Sequence, residues 1–190
     1  MPRHSGNFVA QSEPSLVEKV IALHNALKAG NIAHGFGGAL ALAYYTHEPR
    51  ATADIDVNVS LEAKFATRAL SQLPPAIEWT QADVARIRSN DQVRLWWGRT
   101  PIDLFFRASP FHDGVQLRVV RHPFAGIEIP FLAASDLGIF KSLFNRPKDW
   151  LDIEAMVAAD SIDPLEVAET LNELLGEDPR VDRMRALAQC

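Results

Sequence analysis

The sequence predicts an α/β fold: a mixed β-sheet core flanked by helices, with a helical C-terminal part. Three observations predict it. Runs such as "ADIDVNVSL", "QVRLWWG" and "TPIDLFFRAS" alternate or are rich in β-branched and aromatic residues, the pattern of strands. Segments of helical periodicity are interspersed among them, as in layered α/β architectures. After residue 132 the strand-like runs cease and helical segments follow.

Residues 1–14 are polar and are expected to be loose. Ser15 is placed to cap a helix over "LVEKVIALHNALKAG", in which Leu16, Val20, Leu23 and Leu27 form one apolar stripe and Gly30 follows the end. "NIAHGF" reads as a short strand and "GGALALAYYTH" as a helix opening on glycine. The "ADIDVNVSL" strand is β-branched at Ile55, Val57 and Val59. A helix from Glu62 to Leu73 is stopped by Pro74 and Pro75. "TQADVARIRS" is a further short helix. "QVRLWWG" and "TPIDLFFRAS" are two strands joined by a turn at Gly98 to Thr100, and "VVRHPFAGIEIPF" is another hairpin. The C-terminal helices are "AASDLGIFKSLFN", "PKDWLDIEAMVAAD", "DPLEVAETLNELLG" and "DPRVDRMRALAQ". Asp136, Asp163 and Asp178 are placed as caps, and Pro147, Pro164 and Pro179 stand near helix starts. The composition shift at "IPFLAAS" separates a core region, residues 1–132, from a helical region, residues 133–190.

The chain of 190 residues is long enough to bury a substantial core, and its 47% hydrophobic and 23% charged residues are ordinary for a globular protein. A net charge of -5 excludes a protein coated in basic charge but permits a local basic patch. Cys190 is the single cysteine, which excludes an intramolecular disulfide and a cysteine-based zinc site and fits a reducing compartment. The N-terminal residues lack the apolar core of a signal peptide, and no apolar run approaches membrane-spanning length. A cytoplasmic protein with no membrane partner is the expectation.

Side chains alternate faces along a strand, so Asp54, Asp56 and Asn58 share one face of "ADIDVNVSL" while Ile55, Val57 and Val59 share the other. Two carboxylates this close repel and raise one pKa unless a cation neutralises them. A hard divalent ion such as Mg²⁺ suits paired carboxylates, with phosphate oxygens and water completing its shell. The same pair also suits an edge strand whose outer face is simply wet. "GFGG", Gly35 to Gly38, opens the helix before this strand; free backbone N–H groups at a helix start bind phosphate, and glycine permits close approach, although a glycine pair also marks an ordinary turn. Asp103 is the only charge in "PIDLFF" and is placed either as a third carboxylate or as a turn residue after Pro101.

The stretch "GGALALAYYTHEPRATADIDVNV" resembles the signature of the polymerase-β-like nucleotidyltransferase superfamily, a glycine pair opening a helix and then Arg-x-Thr/Ser-x-Asp-x-Asp on a strand. "PIDLFF" resembles its third-carboxylate strand. "KSLFNRPKDWLDI" resembles a motif of the AbiEii-type nucleotidyltransferase toxins, which include the MenT group, through Lys141, Arg146, Lys148, Asp149 and Asp152. The resemblance covers roughly residues 33–155. It implies a nucleotidyltransferase-like core completed at its nucleotide and acceptor site by the helical region. It implies that Gly37 and Gly38 contact the nucleotide phosphates, that Asp54, Asp56 and Asp103 hold Mg²⁺, and that Asp103 is also a base toward the acceptor hydroxyl. Arg50 either reaches the triphosphate or pairs with the acidic cluster. Lys141 is a point charge for phosphate or a solvated helix residue. Asp149 and Asp152, with Arg146 and Lys148, either line the nucleotide site or serve as caps and ion pairs. Two departures stand out: Ala39 replaces the usual Ser or Thr after the glycine pair, and the chain is short for the family.

The resemblance further implies transfer of a nucleotide from an NTP, often a pyrimidine such as CTP, to tRNA 3′ ends, as the toxin of a toxin–antitoxin pair. Some relatives are modified by their antitoxin at a hydroxyl in the position of Thr52, so an antitoxin kinase is an expected partner. Phosphate there would add up to about two negative charges beside the metal site. Arg86, Arg88, Arg94, Arg99, Arg107, Arg118 and Arg121, interleaved with Trp96 and Trp97, suit single-stranded nucleic acid or a solvated sheet face with snorkelling arginines. Two other classes stay open: a nucleotidyltransferase acting on a small molecule such as an antibiotic, or on a protein, and a catalytically inactive binding module on the same fold.

Overall fold

Strand alternation and helix periodicity combine into one six-stranded mixed sheet of order β3-β4-β2-β1-β6-β5 in the computed structural model, which describes residues 13–189. The expectations for residues 1–12 and for Cys190 lie outside the described residues. The first half of the chain forms α1 (Leu16–Ala29), β1 (His34–Phe36), α2 (Gly38–Leu42), β2 (Ile55–Glu62), α3 (Ala66–Leu70), α4 (Gln81–Asn90) and β3 (Gln92–Trp97). It continues through β4 (Thr100–Arg107), α5 (Phe111–Arg118), β5 (Val120–Phe124) and β6 (Ile127–Phe131). The helices α6 (Ala134–Phe144), α7 (Pro147–Ala158), α8 (Pro164–Leu175) and α9 (Pro179–Ala186) follow.

β1 runs antiparallel to β2 and parallel to β6, and β2 runs parallel to β4. The edge strands β3 and β5 are the antiparallel partners of β4 and β6. One apolar core extends from Val20 on α1 through Ile55, Val57, Ile102 and Leu104 on the central strands to Met184 on α9. Burying the odd-numbered residues of β2 and the even-numbered residues of β4 turns Asp56, Asn58, Asp103 and Phe105 onto the opposite, α6-facing side of the sheet, where a cleft lies.

Several elements differ from the sequence reading. Ser15 does cap α1, in a reciprocal capping box with Glu18. α2 is only five residues long and does not reach His47. Tyr44 and Tyr45 leave it because their hydroxyls donate to carbonyl oxygens elsewhere, Pro123 and Leu132 respectively, each at 2.8 Å. Glu62 ends β2 instead of starting a helix; a 3₁₀ turn at Ala63–Phe65 intervenes before α3. α5 was not expected. Asp136 is not a cap: α6 starts after Ala133 with no side-chain cap, and the buried Asp136 carboxylate accepts a bidentate pair from Arg118 on α5. Asp163 and Asp178 cap α8 and α9 as expected.

Candidate active site

The parallel register of β2 and β4 sets Asp56 directly beside Asp103. Asp54 immediately precedes β2. Its backbone N–H donates to Thr52 Oγ1 at 3.1 Å, and that hydroxyl donates in turn to the Asp54 carbonyl at 3.3 Å, a local turn that fixes the approach to the strand. The three carboxylates therefore come together from two local features, the pleat and the turn at Thr52, and one long-range one, the β2/β4 register.

The glycine pair closes over them. Gly37 donates its N–H to the Asp56 carbonyl at 2.9 Å, so this amide is committed to holding β2. Gly38 stands at φ +56° at the start of α2, and a Cβ there would lie 1.7 Å from Asp56 Oδ2. Both the backbone conformation and the close approach of the carboxylate require glycine at that position.

Cations surround the acids in ordered pairs. Arg94 on β3 donates Nε to Asp103 Oδ1 at 2.8 Å and Nη2 to Asp103 Oδ2 at 2.6 Å, and the same Nη2 lies 3.7 Å from Asp54 Oδ2. From the C-terminal helices, Lys141 Nζ donates to Asp152 Oδ2 at 2.6 Å, and Arg50 binds both oxygens of Asp152 at 3.0 Å. Burial alone would push Asp152 up, but the hydrogen bonds from Arg50 and Lys141 outweigh it and hold the group below the usual carboxylate range. Arg146 grips Asp149 through Nε at 2.6 Å and Nη2 at 3.0 Å.

Asp56 differs from all of these. Its carboxylate makes no hydrogen bond and no ion pair among the described residues. Burial raises its pKa to about 6, and the charges of Asp103 and Asp54 add to the shift. Asp56 is a half-buried acid beside two others with no cation of its own among the described residues, so a cation from outside the chain would offset its charge. The donors are all hard carboxylate oxygens, which suits Mg²⁺. Among the described residues, no three acidic, histidine or cysteine side chains are already arranged to hold a metal ion.

Gly38, Arg50, Thr52, Asp54, Asp56, Asp103, Lys141, Arg146, Lys148 and Asp149 all line the one cleft, of about 260 Å³. Gly37 and Asp152 stand just behind its wall, Gly37 gripping β2 and Asp152 holding Lys141 and Arg50 in place. Arg94 also lines the cleft. Sequence reasoning counted it among arginines for nucleic acid and missed its pairing with Asp103. The signal was present, because a β3/β4 hairpin turning at Gly98 puts position 94 opposite position 103. An aromatic wall of Phe105, Phe140, Phe144 and His112 at the other end of the cleft was likewise missed. Of the other arginines expected to act together, Arg86, Arg99, Arg107 and Arg118 each pair with a carboxylate of the protein. Trp96 and Trp97 lie on opposite faces of β3: Trp97 is buried and Trp96 is 53% exposed.

Two solved structures share this arrangement of strands and helices. The antibiotic-resistance factor ANT(2'')-Ia aligns with a TM-score of 0.54 at 14% identity, over 91% of this chain and 90% of that one. A nucleotidyltransferase-like antigenic protein from Paracoccidioides brasiliensis aligns with a TM-score of 0.50 at 16% identity, over 89% of this chain and 92% of that one. The fold is nucleotidyltransferase-like. No family model matches the sequence, and no curated protein matches it significantly. At these identities the nucleotidyltransferase-like fold is what is shared. Among the described residues, no helix is long and apolar enough to cross a membrane.

Proposed function

We propose that this chain is a Mg²⁺-dependent nucleotidyltransferase that moves a nucleoside monophosphate from an NTP to an acceptor hydroxyl. The observation that carries this reading is Asp56, an un-neutralised carboxylate flanked by Asp54 and Asp103 in a cleft rimmed with cations. Asp54, Asp56 and Asp103 would hold the ion, which supplies charge neutralisation for the triphosphate and the leaving pyrophosphate. The chain's own residues do the rest. Lys141, Arg146 and Lys148 reach the cleft from the helical region and suit phosphate oxygens, and Asp152 orients Lys141 and Arg50 toward them. The acceptor oxygen bonds to the α-phosphorus as the bond to the bridging oxygen breaks. Pyrophosphate departs, and the hydroxyl proton passes to Asp103. Such chemistry is mostly positioning, which suits a site of few groups held by ion pairs.

For the acceptor, the sequence resemblance to AbiEii and MenT toxins favours tRNA 3′ ends and a toxin role, with an antitoxin partner, a pyrimidine NTP such as CTP and a cytoplasmic setting. Exposed Trp96, on the same face of β3 as Arg94, suits base stacking. Thr52 lines the cleft beside Asp54, where a phosphate would oppose an incoming triphosphate. A second reading, modification of a small hydroxylated molecule, is favoured by the commitment of most of the flanking arginines to internal ion pairs.

Incubation of the purified protein with labelled NTPs and Mg²⁺, and with either total tRNA or aminoglycosides, tests both. We expect label in tRNA, lost in Asp56→Ala and strongly reduced in Thr52→Glu. Label in the small molecules alone selects the second reading. Label in neither, with no self-labelling, leaves a binding module and overturns the enzyme. Full labelling by Thr52→Glu removes the kinase.

A further inference from the structure

Among the described residues, Arg94 is the one cation that touches the carboxylate trio directly, and its place is unusual. It comes from edge strand β3, directly opposite Asp103 in the antiparallel register. Its two donors take both oxygens of Asp103 at 2.6 and 2.8 Å, and one of them also lies 3.7 Å from Asp54. A guanidinium fork on a carboxylate is the strongest geometry a monovalent side-chain cation offers. Two of the three acids are thus occupied by protein, and Asp56 between them is not. The Arg94 side chain is half exposed at the cleft mouth, so it is free to swing away without unpacking the core, whose β3 residues Val93 and Leu95 face the other side.

We propose that Arg94 is an exchangeable counter-ion: it holds Asp103 and Asp54 in the metal-free protein and must release them before a divalent cation is seated with Asp56. This rests on the metal-binding reading above. It makes Arg94 a positioning residue that sets the affinity for the ion. It also explains why three acids on adjacent segments are not already arranged around an ion. Among the described residues no carboxylate other than Asp103 and Asp54 pairs with Arg94, so a bound divalent ion would leave its guanidinium unpaired beside the cleft lined by Lys141, Arg146 and Lys148.

The test is calorimetric titration of the full chain with Mn²⁺ and Mg²⁺, with manganese electron paramagnetic resonance as a second readout. Arg94→Gln should bind the ion about tenfold or more tightly than wild type, the worth of a lost charge-assisted pair. Arg94→Lys keeps the charge without the fork and should fall between. Arg146→Gln removes the same charge from the same cleft without freeing Asp54 or Asp103, and should change affinity by no more than about threefold. Equal affinities for Arg94→Gln and wild type, with binding lost in Asp56→Asn, overturn the exchange and leave the metal site standing. An equal gain from Arg146→Gln also overturns it, by reducing the effect to net charge. No ion bound by either wild type or Arg94→Gln, with both proteins folded by circular dichroism, overturns the exchange and the metal-binding reading together.

Discussion

Burial raises the pKa of Asp56 to about 6 from an ordinary 3.8, and Asp103 and Asp54 push it the same way. The folded protein therefore holds this proton more tightly than the unfolded chain does. The stability contributed by that proton is complete below pH 3.8 and is lost as the pH rises through about 6. At pH 7.5 without divalent cations, the ionised group destabilises the fold by on the order of 3 kcal/mol. Asp56→Asn removes the charge, so its urea midpoint in EDTA should rise at pH 7.5 and match wild type near pH 4, while nucleotide transfer disappears. An unchanged midpoint at pH 7.5 would mean that the carboxylate is already neutral or compensated. The faces of Asp56 and Asp103 were legible from alternation alone, because the pleat assigns them locally, whereas Asp54 precedes β2 and is placed by the turn at Thr52. The Arg94–Asp103 pair was legible too, through the β3/β4 hairpin, whereas the reach of Arg94 to Asp54 was not, because it depends on β2 lying beside β4.

The junction of α6 and α7 carries the basic block of the cleft. Asn145 ends α6 in the left-handed region at φ +55°, and its Oδ1 accepts the indole N–H of Trp150 at 2.7 Å. Trp150 is 1% exposed, so that donor has no access to water. Asn145→Ala places a Cβ-bearing residue without a local acceptor at positive φ and orphans a buried N–H, which should cost about 2–3 kcal/mol. Asn145→Gly relieves the backbone but not the indole and should lie between alanine and wild type in denaturant unfolding. A glycine variant as weak as alanine would put the whole effect in the hydrogen bond. The element was partly readable: Pro147 marked the break between the helices, and Lys141, Arg146, Lys148, Asp149 and Asp152 stood out by their resemblance to the AbiEii-type motif. Their pairing was not readable. Arg50 reaches Asp152 across 102 residues of sequence.

At the scale of the whole molecule, a buried histidine pair links α1 to β1: His24 Nδ1 lies 3.0 Å from His34 Nε2, and His34 Nδ1 donates to the Ile32 carbonyl at 2.8 Å. Burial, and then repulsion from His34, lowers the His24 pKa from 6.5 to about 4. Here the folded state binds fewer protons than the unfolded one, so this stability is present above pH 6.5 and is lost as the pH falls through about 4, by on the order of 3 kcal/mol. The slope is opposite to that of Asp56. In the metal-free wild type the two partly cancel between pH 4 and 6, and thermal unfolding should vary little there. Asp56→Asn leaves the histidines uncompensated and should lose stability steeply toward pH 4, and His24→Gln in that background should restore a flat profile. Parallel wild-type and Asp56→Asn profiles would remove the compensation.

Most cleft residues were singled out by the resemblance to nucleotidyltransferase signatures. The α/β class, the two faces of β2 and β4, and the Asp163 and Asp178 helix caps were determined by the sequence by itself. Each follows from local periodicity or from short-range chemistry such as a cap, a proline or a glycine turn. The tertiary structure alone decided the β2/β4 register that joins Asp56 to Asp103, the reach of Arg94 to Asp54, and the Arg50–Asp152–Lys141 bridge. It also cut α2 short and created α5 and the Asp136–Arg118 pair. Strand order and inter-element ion pairs depend on which distant segments share a wall of the core, and no local pattern in the chain specifies that choice.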